Sequence, residues 1–473
     1  MRKTETVSYP DYLGEPAELP GRGEPARPAR IRDWPHSEWL AVGAICFGAI
    51  TSSLDSGVIT VAYPKLEREL HRPLSQIVWI VLISQLTVVS TLVLFGKRGD
   101  YIGRKRVYLD GFVLFIAGAV ACALSVGYWM LLVARVVQAL GVAMIQANSV
   151  ALVTTSVRQQ HRTTALGVQA SAQAAGLAMG PLLGGLLVPY LPWRAIFLIS
   201  TPLASVAFVS SIIFIPRSRT SVHAPKLNVA GALVLALAAG GLLGGLTLAA
   251  KSGWHGPALG FIAVGIVASI ALVPVERQSP SPLFEPRIMA IRRVRRALFS
   301  ISVTWVTFFG LLTAVPFFVE RNLGGSLVQG GAVTMAIPIG LIIMAPVIGT
   351  LRKRFSRRAI GIAAASAVVI ALVPARFDHT WLPLVLTLVV VGAGVGASNT
   401  LNSSLVMELV PDGDRGVASS LINLARAGGS AVGVAMASSF IVMSHSRSAV
   451  SALTALTVAA FVSWASALWP QRD

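Results

Sequence analysis

The chain has 473 residues, of which 54% are hydrophobic and only 12% charged, and its mean hydropathy is +0.71. Charged residues run at about half the usual ~25% of a soluble domain. No soluble core absorbs that much apolar surface, so composition excludes a soluble enzyme or binding module and implies a polytopic membrane protein. The net charge of +19 does not point to nucleic acid, because the basic residues sit in short loops between apolar segments.

Residues 1–35 are rich in Pro, Gly, Arg and Glu and lack the apolar core of a signal peptide. They are expected to form a disordered cytoplasmic tail. Runs of about twenty apolar residues, long enough to cross a bilayer, follow at about 38–62, 74–95, 105–125, 128–150, 163–188, 194–215, 228–249, 256–275, 297–319, 328–350, 358–375, 381–404, 416–442 and 448–469. The expected fold class is an all-α membrane protein with fourteen transmembrane helices. An even count puts both termini on one side. Positive-inside bias makes that side the cytoplasm: of 39 Lys and Arg residues, 29 fall in segments on that side, 8 in the opposite loops, and Arg135 and Arg426 within spans.

A weak internal repeat divides the chain. The basic loop Gly96–Arg106 is echoed over 349–358 in spacing and basicity, with Lys353 in place of the acid. Each copy follows the second helix of a six-helix set once spans seven and eight are set aside. The expected domains are a six-helix bundle over 36–216, a two-helix insert with flanking loops over 217–295, and a second six-helix bundle over 296–470. Two related bundles with a site between them is a common transporter plan.

Asp55 is the only charged residue between Ala41 and Pro64. A lone carboxylate at the bilayer centre costs roughly 2.5–3.5 kcal/mol and usually has a function. Arg135, in span four, is its natural counter-charge. All seven histidines fall in loops or at span ends, so no intramembrane histidine relay is available. Asp55 with Arg135 is therefore the candidate proton-coupling pair: a carboxyl there can load a proton from one side and release it to the other.

Asp100 lies among Lys97, Arg98 and Arg104–Arg106 at the cytoplasmic end of span two, where Gly99 and Gly103 allow a tight turn and close backbone approach. In span five, Gly176, Gly180, Gly184 and Gly185 share roughly one face, with Pro181 among them. Small residues let helices approach closely and proline kinks them; the expected role is a bendable seal against a neighbour in the other bundle. A polar cavity lining is expected from Thr60, Gln85, Gln138, Gln146, Asn148, Gln169 and Gln173 in the first half, and from Asn399, Asn402, Asn423 and Arg426 in the second. Trp305, Phe308 and Phe309 are candidates to stack on a substrate. Glu320 and Glu408 are expected to be solvated helix ends. Cys46 and Cys122 read as small apolar residues in helix packing, offering neither a disulfide framework nor a metal cluster.

Four of these segments, in order, resemble the major facilitator superfamily. Gly96–Arg106 resembles the family's loop between helices two and three. Arg135-Val136-Val137-Gln138-Ala139-Leu140-Gly141 is similar to its Arg-x-x-Gln-Gly motif, with Ala139 where Gly is usual. Gly176-Leu177-Ala178-Met179-Gly180-Pro181-Leu182-Leu183-Gly184-Gly185 resembles the antiporter signature of exporters. Trp193-Arg194-Ala195-Ile196-Phe197 opens helix six as in the fourteen-helix drug:proton antiporter group. The resemblance implies that the loop carrying Gly96, Gly99, Asp100, Gly103, Arg104 and Arg106 latches the two bundles, with Asp100 essential to switching.

It further implies a multi-pass protein of the cell membrane, working as a monomer without cofactor or metal. A proton gradient would drive it, with a small molecule and protons as its partners. Gly57, Thr60, Tyr63 and Ser84 depart from the group around the expected cavity, so substrate preference does not carry over. With Asp55 the main deep acid, a neutral, weakly basic or anionic amphiphile suits the cavity better than a dicationic dye. The expected function is proton-coupled antiport exporting a small amphiphilic organic compound. Its rivals are a proton symporter importing a nutrient and a non-transporting membrane sensor, for which no appended soluble domain speaks. No nucleotide-binding loop occurs, which argues against ATP drive.

Overall fold

In hydrocarbon, backbone polar groups are satisfied only within helices or closed barrels, and here the apolar runs form helices. The computed structural model describes residues 19–20, 37–158, 161–220, 227–252, 255–280, 282–375, 380–410, 415–443 and 457–458. The first six helices are α1 (Ser37–Glu69), α2 (Leu74–Ile102, with a break at Val78), α3 (Arg104–Ala123), α4 (Tyr128–Ser156), α5 (Arg162–Leu187) and α6 (Trp193–Phe214). A hairpin of α7 (Val229–Ser252) and α8 (Gly256–Gln278) follows. The second set comprises α9 (Arg292–Asn322), α10 (Leu327–Thr334 and Ala336–Arg354, interrupted at Met335), α11 (Arg357–Ala375), α12 (Trp381–Leu409) and α13 (Arg415–Met443).

Among the described residues, twelve of these helices are long and apolar enough to cross a membrane: all but α11. These account for twelve of the expected fourteen. The expected span over 358–375 is a helix of 19 residues opening on Arg357 and Arg358, and its last three residues are not fully described. The expected span over 448–469 lies outside the described residues except for 457 and 458. The expected disordered tail over 1–35 is likewise outside them, apart from Leu19–Pro20, which pairs antiparallel with Arg219–Thr220 beyond α6.

Helix α1 packs on α5 and α6, and α3 on α4; in the second set α9 packs on α13, and α10 and α11 on α12. The two sets meet where α5 faces α10 and where α2 faces α13. The α7–α8 hairpin lies on that second seam, with α7 against both α2 and α13. Its α8 buries little more than Ala258, Gly265 and Ala268 and turns Phe261, Val264 and Ile270 outward, as suits a helix bathed in lipid.

Apolar packing is asymmetric along the bundle axis. At the end the charge bias assigns to the outside, one core runs through both sets and joins Leu66 and Ile77 to Phe317 and Ile441. In the second set that core continues to the opposite end through Val294, Val406 and Ala418, where two further clusters lie beside it. Phe112, Leu152 and Ile215 belong to a cluster of the first set, joined from the second by Ala427, and Ile348, Ile360 and Leu401 to a separate cluster of the second.

Candidate functional site

Asp55 on α1 and Arg135 on α4 are both buried, at 6% and 2% exposure. The Arg135 Nη1 donates to Asp55 Oδ2 at 3.1 Å and to Gln138 Oε1 at 2.6 Å, while Gln138 Nε2 donates to Asp55 Oδ1 at 3.0 Å. One turn of α4 thus offers both partners to the carboxylate, because residues three apart share a helix face. Arg135 Nε also donates to the Ile80 carbonyl at 3.2 Å, beside the break in α2, and its guanidinium lies 5.8 Å from the Phe197 ring centre. The charge is answered by a carboxylate and shared hydrogen bonds, which is what keeps a buried ion pair tolerable.

This pair opens onto a small cavity between α1, α2 and α4. Asp55, Ser56, Ser84, Gln85, Arg135 and Gln146 give it polar walls, and Val81, Val88 and Val142 give it apolar ones. Its roughly 20 Å³ is room for about one water. Gln85, Gln138 and Gln146 are therefore at the site. Ser56 was not foreseen, since a serine in an apolar helix usually bonds its own backbone.

Other expected lining residues lie elsewhere. Thr60 is fully buried and donates to Gly57 of its own helix at 2.8 Å. Gln169 donates to Ser149 Oγ at 2.9 Å. Asn148 is a correction: its Nδ2 donates to the Met144 carbonyl at 2.9 Å, and a side chain on Gly99 would collide with its Oδ1. It supports the α2–α3 turn from below and does not line the cavity. Asn402 donates to Ser300 Oγ at 3.1 Å. Gln173 and Asn423 are half-buried.

The second set carries its own polar cluster. Asn399 on α12 accepts from Trp305 Nε1 on α9 at 3.2 Å and from Arg426 Nε on α13 at 3.1 Å. Arg426 Nη2 donates to Ser403 Oγ at 3.3 Å, and its guanidinium lies 5.7 Å from the Trp305 ring centre. Trp305 stacks on Phe309 with centroids 5.7 Å apart.

At the α2–α3 turn, Gly103 has φ 107°, a conformation that favours glycine. Asp100 is half-exposed and pairs with Arg104 at 2.6 Å. Lys97 donates to the Pro282 carbonyl at 3.0 Å, tying the loop to the segment after α8. In the echoing loop of the second set, Arg357 and Arg352 bond Glu408 at 2.7 and 3.4 Å.

The glycine run of α5 faces two ways. A Cβ on Gly176, Gly180 or Gly184 would meet the α1 backbone at Ile50, Gly57 or Val58, in the same set. Gly185 instead faces Gly331 of α10, at 3.1 Å from its Cβ position, and Pro181 abuts Gly331 as well. The expected single-faced seal is corrected: three glycines close α5 onto α1, and only the last, with Pro181, works across the two sets. Beside that contact Tyr63 stacks on Phe317 with centroids 6.4 Å apart, and Arg68 pairs with Glu320 at 2.6 Å. Glu320 and Glu408 are solvent-accessible helix ends, as expected, and both are ion-paired, Glu320 across the two sets.

Comparison with known proteins agrees with this geometry. The chain is 27% identical over 413 residues to a riboflavin transporter, RibZ, of Clostridioides difficile, covering 86% of this chain and 89% of the relative. It is 28% identical over 333 residues to a tetracenomycin C resistance and export protein of Streptomyces glaucescens, covering 70% and 61%. It is 27% identical over 403 residues to the drug efflux pump JefA of Mycobacterium tuberculosis, covering 84% and 79%. Among solved structures, the human organic anion transporter MFSD10 superposes with a TM-score of 0.60 at 16% identity, over 90% of this chain and 99% of that one, a likeness of fold. Residues 45–230 and 227–434 match the family model of the Major Facilitator Superfamily. With two helical sets and this match over most of its length, the chain belongs to the Major Facilitator Superfamily of transporters.

Proposed function

We propose that the protein is a proton-coupled antiporter that exports a small amphiphilic organic compound across the cytoplasmic membrane by alternating access, with both termini inside. The observation that carries this reading is the buried triad of Asp55, Arg135 and Gln138 beside a cavity at the heart of the first bundle. A proton arriving on Asp55 cancels its attraction for Arg135 and turns one carboxylate oxygen from acceptor into donor. Arg135 and Gln138 must then find other partners. That local exchange links proton loading to the packing of α1 against α4, and so to which end of the bundle is closed. Export is favoured by the Gly/Pro run of α5 and by relatives named as efflux proteins.

The test is Asp55→Asn in proteoliposomes with an imposed pH gradient, using riboflavin and tetracenomycin C as first substrates. Loss of gradient-driven movement in a variant that still purifies as a folded, monodisperse protein is the expected outcome. Wild-type gradient-driven transport by that variant would sink the proposal. A second reading, proton symport importing a nutrient, is favoured by the similarity to a riboflavin transporter. Inverted membrane vesicles separate the two: an exporter accumulates the compound against an acid interior, and a symporter expels it.

A further inference from the structure

The coupling mechanism has no use for Arg426. Its side chain is half-buried at the seam between bundles, where its neighbour Ala427 packs against the first set. Asp55 is answered by Arg135, but among the described residues Arg426 has no carboxylate partner. Its bonds go to two neutral oxygens, Asn399 Oδ1 and Ser403 Oγ. A guanidinium has five N–H donors. Nε and one Nη2 hydrogen are used, which leaves both Nη1 hydrogens and one on Nη2 without a protein acceptor. Those three sit at the end of the planar fork, the edge that takes a carboxylate bidentately.

A charge of this kind in a helix bundle needs either a counter-ion or water. Asn399 holds both Arg426 and the Trp305 indole by its one amide oxygen, so the cation and the aromatic ring are fixed relative to each other. Phe309 stacks on Trp305 and braces it. The cluster draws on α9, α12 and α13 of the second set, opposite the Asp55 triad of the first.

We infer that Arg426, Asn399 and Trp305 form an anion-recognising substrate subsite. It would take a planar aromatic compound bearing a carboxylate or comparable anionic oxygen pair, the anion on the free end of Arg426 and the ring against Trp305. This rests on reading the space between the bundles as the substrate path. It narrows the substrate to aromatic anions, and it divides labour between the sets: the first carries the proton, the second reads the anion.

The experiment is equilibrium binding to the full-length protein in nanodiscs of phosphatidylcholine, with no gradient. The probes are 2-naphthoate, the matched neutral 2-naphthamide and the cationic 2-naphthylmethylammonium. Wild type is expected to bind naphthoate about tenfold or more tighter than naphthamide, the effect of a charge-assisted pair, and the cation weakest. Arg426→Gln should lower naphthoate to the level of naphthamide and leave naphthamide unchanged. Arg426→Lys should keep the order of the probes with a smaller gap, since lysine retains charge without the fork. Trp305→Leu should weaken naphthoate and naphthamide alike.

Equal binding of naphthoate and naphthamide to wild type overturns the inference, as does a folded Arg426→Gln that keeps the preference. If that variant does not fold, the wild-type probe series and Arg426→Lys decide. Proton coupling plays no part in this measurement. A wild type without anion preference but with Asp55-dependent transport rejects the subsite alone, and the converse rejects the coupling alone.

Discussion

Deleting one partner of a buried ion pair and deleting both are different perturbations. Arg135→Leu would strand the Asp55 carboxylate with only the Gln138 amide, and breaking a buried pair from one side costs about 3–5 kcal/mol. Asp55→Asn together with Arg135→Gln leaves neutral groups that can still bond Gln138. The expected order of melting temperatures in detergent is wild type, then the double variant, then Arg135→Leu, although all but wild type should be inactive. A melt of Arg135→Leu equal to wild type would mean the pair contributes nothing to the fold. At this scale the sequence was informative where chemistry is rare. Asp55 and Arg135 stand out because charge is scarce inside spans, and Gln138 follows from its position one turn from Arg135. Asn148 misled because an amide in an apolar helix can serve a cavity or a neighbouring turn equally well, and only its close approach to Gly99 decides.

Helix α5 illustrates what an element's sequence does and does not reveal. The small residues and proline announce close packing, but not which neighbour lies on which side. Gly180 and Gly185 differ by 500° of helical rotation at ~100° per residue, or ~140° net, enough to reach different partners. Their substitutions should therefore fail differently. Gly180→Leu drives a side chain into Gly57 of α1, where a Cβ alone would come within 2.6 Å of the Gly57 Cα. Overpacking costs about 1–3 kcal/mol or more, and the expected readout is reduced yield and a lower melting temperature. Gly185→Leu intrudes between α5 and α10 instead, where each set is otherwise intact. Near-normal melting with a substrate-independent proton leak in proteoliposomes is expected there. Indistinguishable behaviour of the two variants would contradict the two-sided reading. The insert was legible as two apolar runs, yet its seat over the α2–α13 seam was not, because a helix that is apolar all round carries no directional pattern.

Across the whole molecule, closure is uneven. The two sets are joined at the outer end by a shared apolar core, by Tyr63 on Phe317 and by Gly185 on Gly331. The Arg68–Glu320 bridge at the same end has side chains 66% and 31% exposed, and such pairs contribute about 0–1 kcal/mol. Glu320→Gln should therefore change transport rates by less than about fivefold, with apolar packing holding the outer end shut. Asp100 belongs to the opposite arrangement. Among the described residues it reaches only Arg104, on the adjacent helix, and makes no bond to the second set. If the α2–α3 loop latches the bundles when the cytoplasmic end closes, that interaction exists only in the other state. A group with different partners in two states shifts their balance without altering the state it leaves unchanged. Asp100→Ala should then bind 2-naphthoate from the cytoplasmic side within about fivefold of wild type, the most an exposed pair contributes, while its turnover falls much further. The measurement pairs equilibrium binding with single-turnover and steady-state transport in the same proteoliposomes. Lost binding with unchanged turnover of the remaining complex would place Asp100 in the closed-outside state and remove it from the latch.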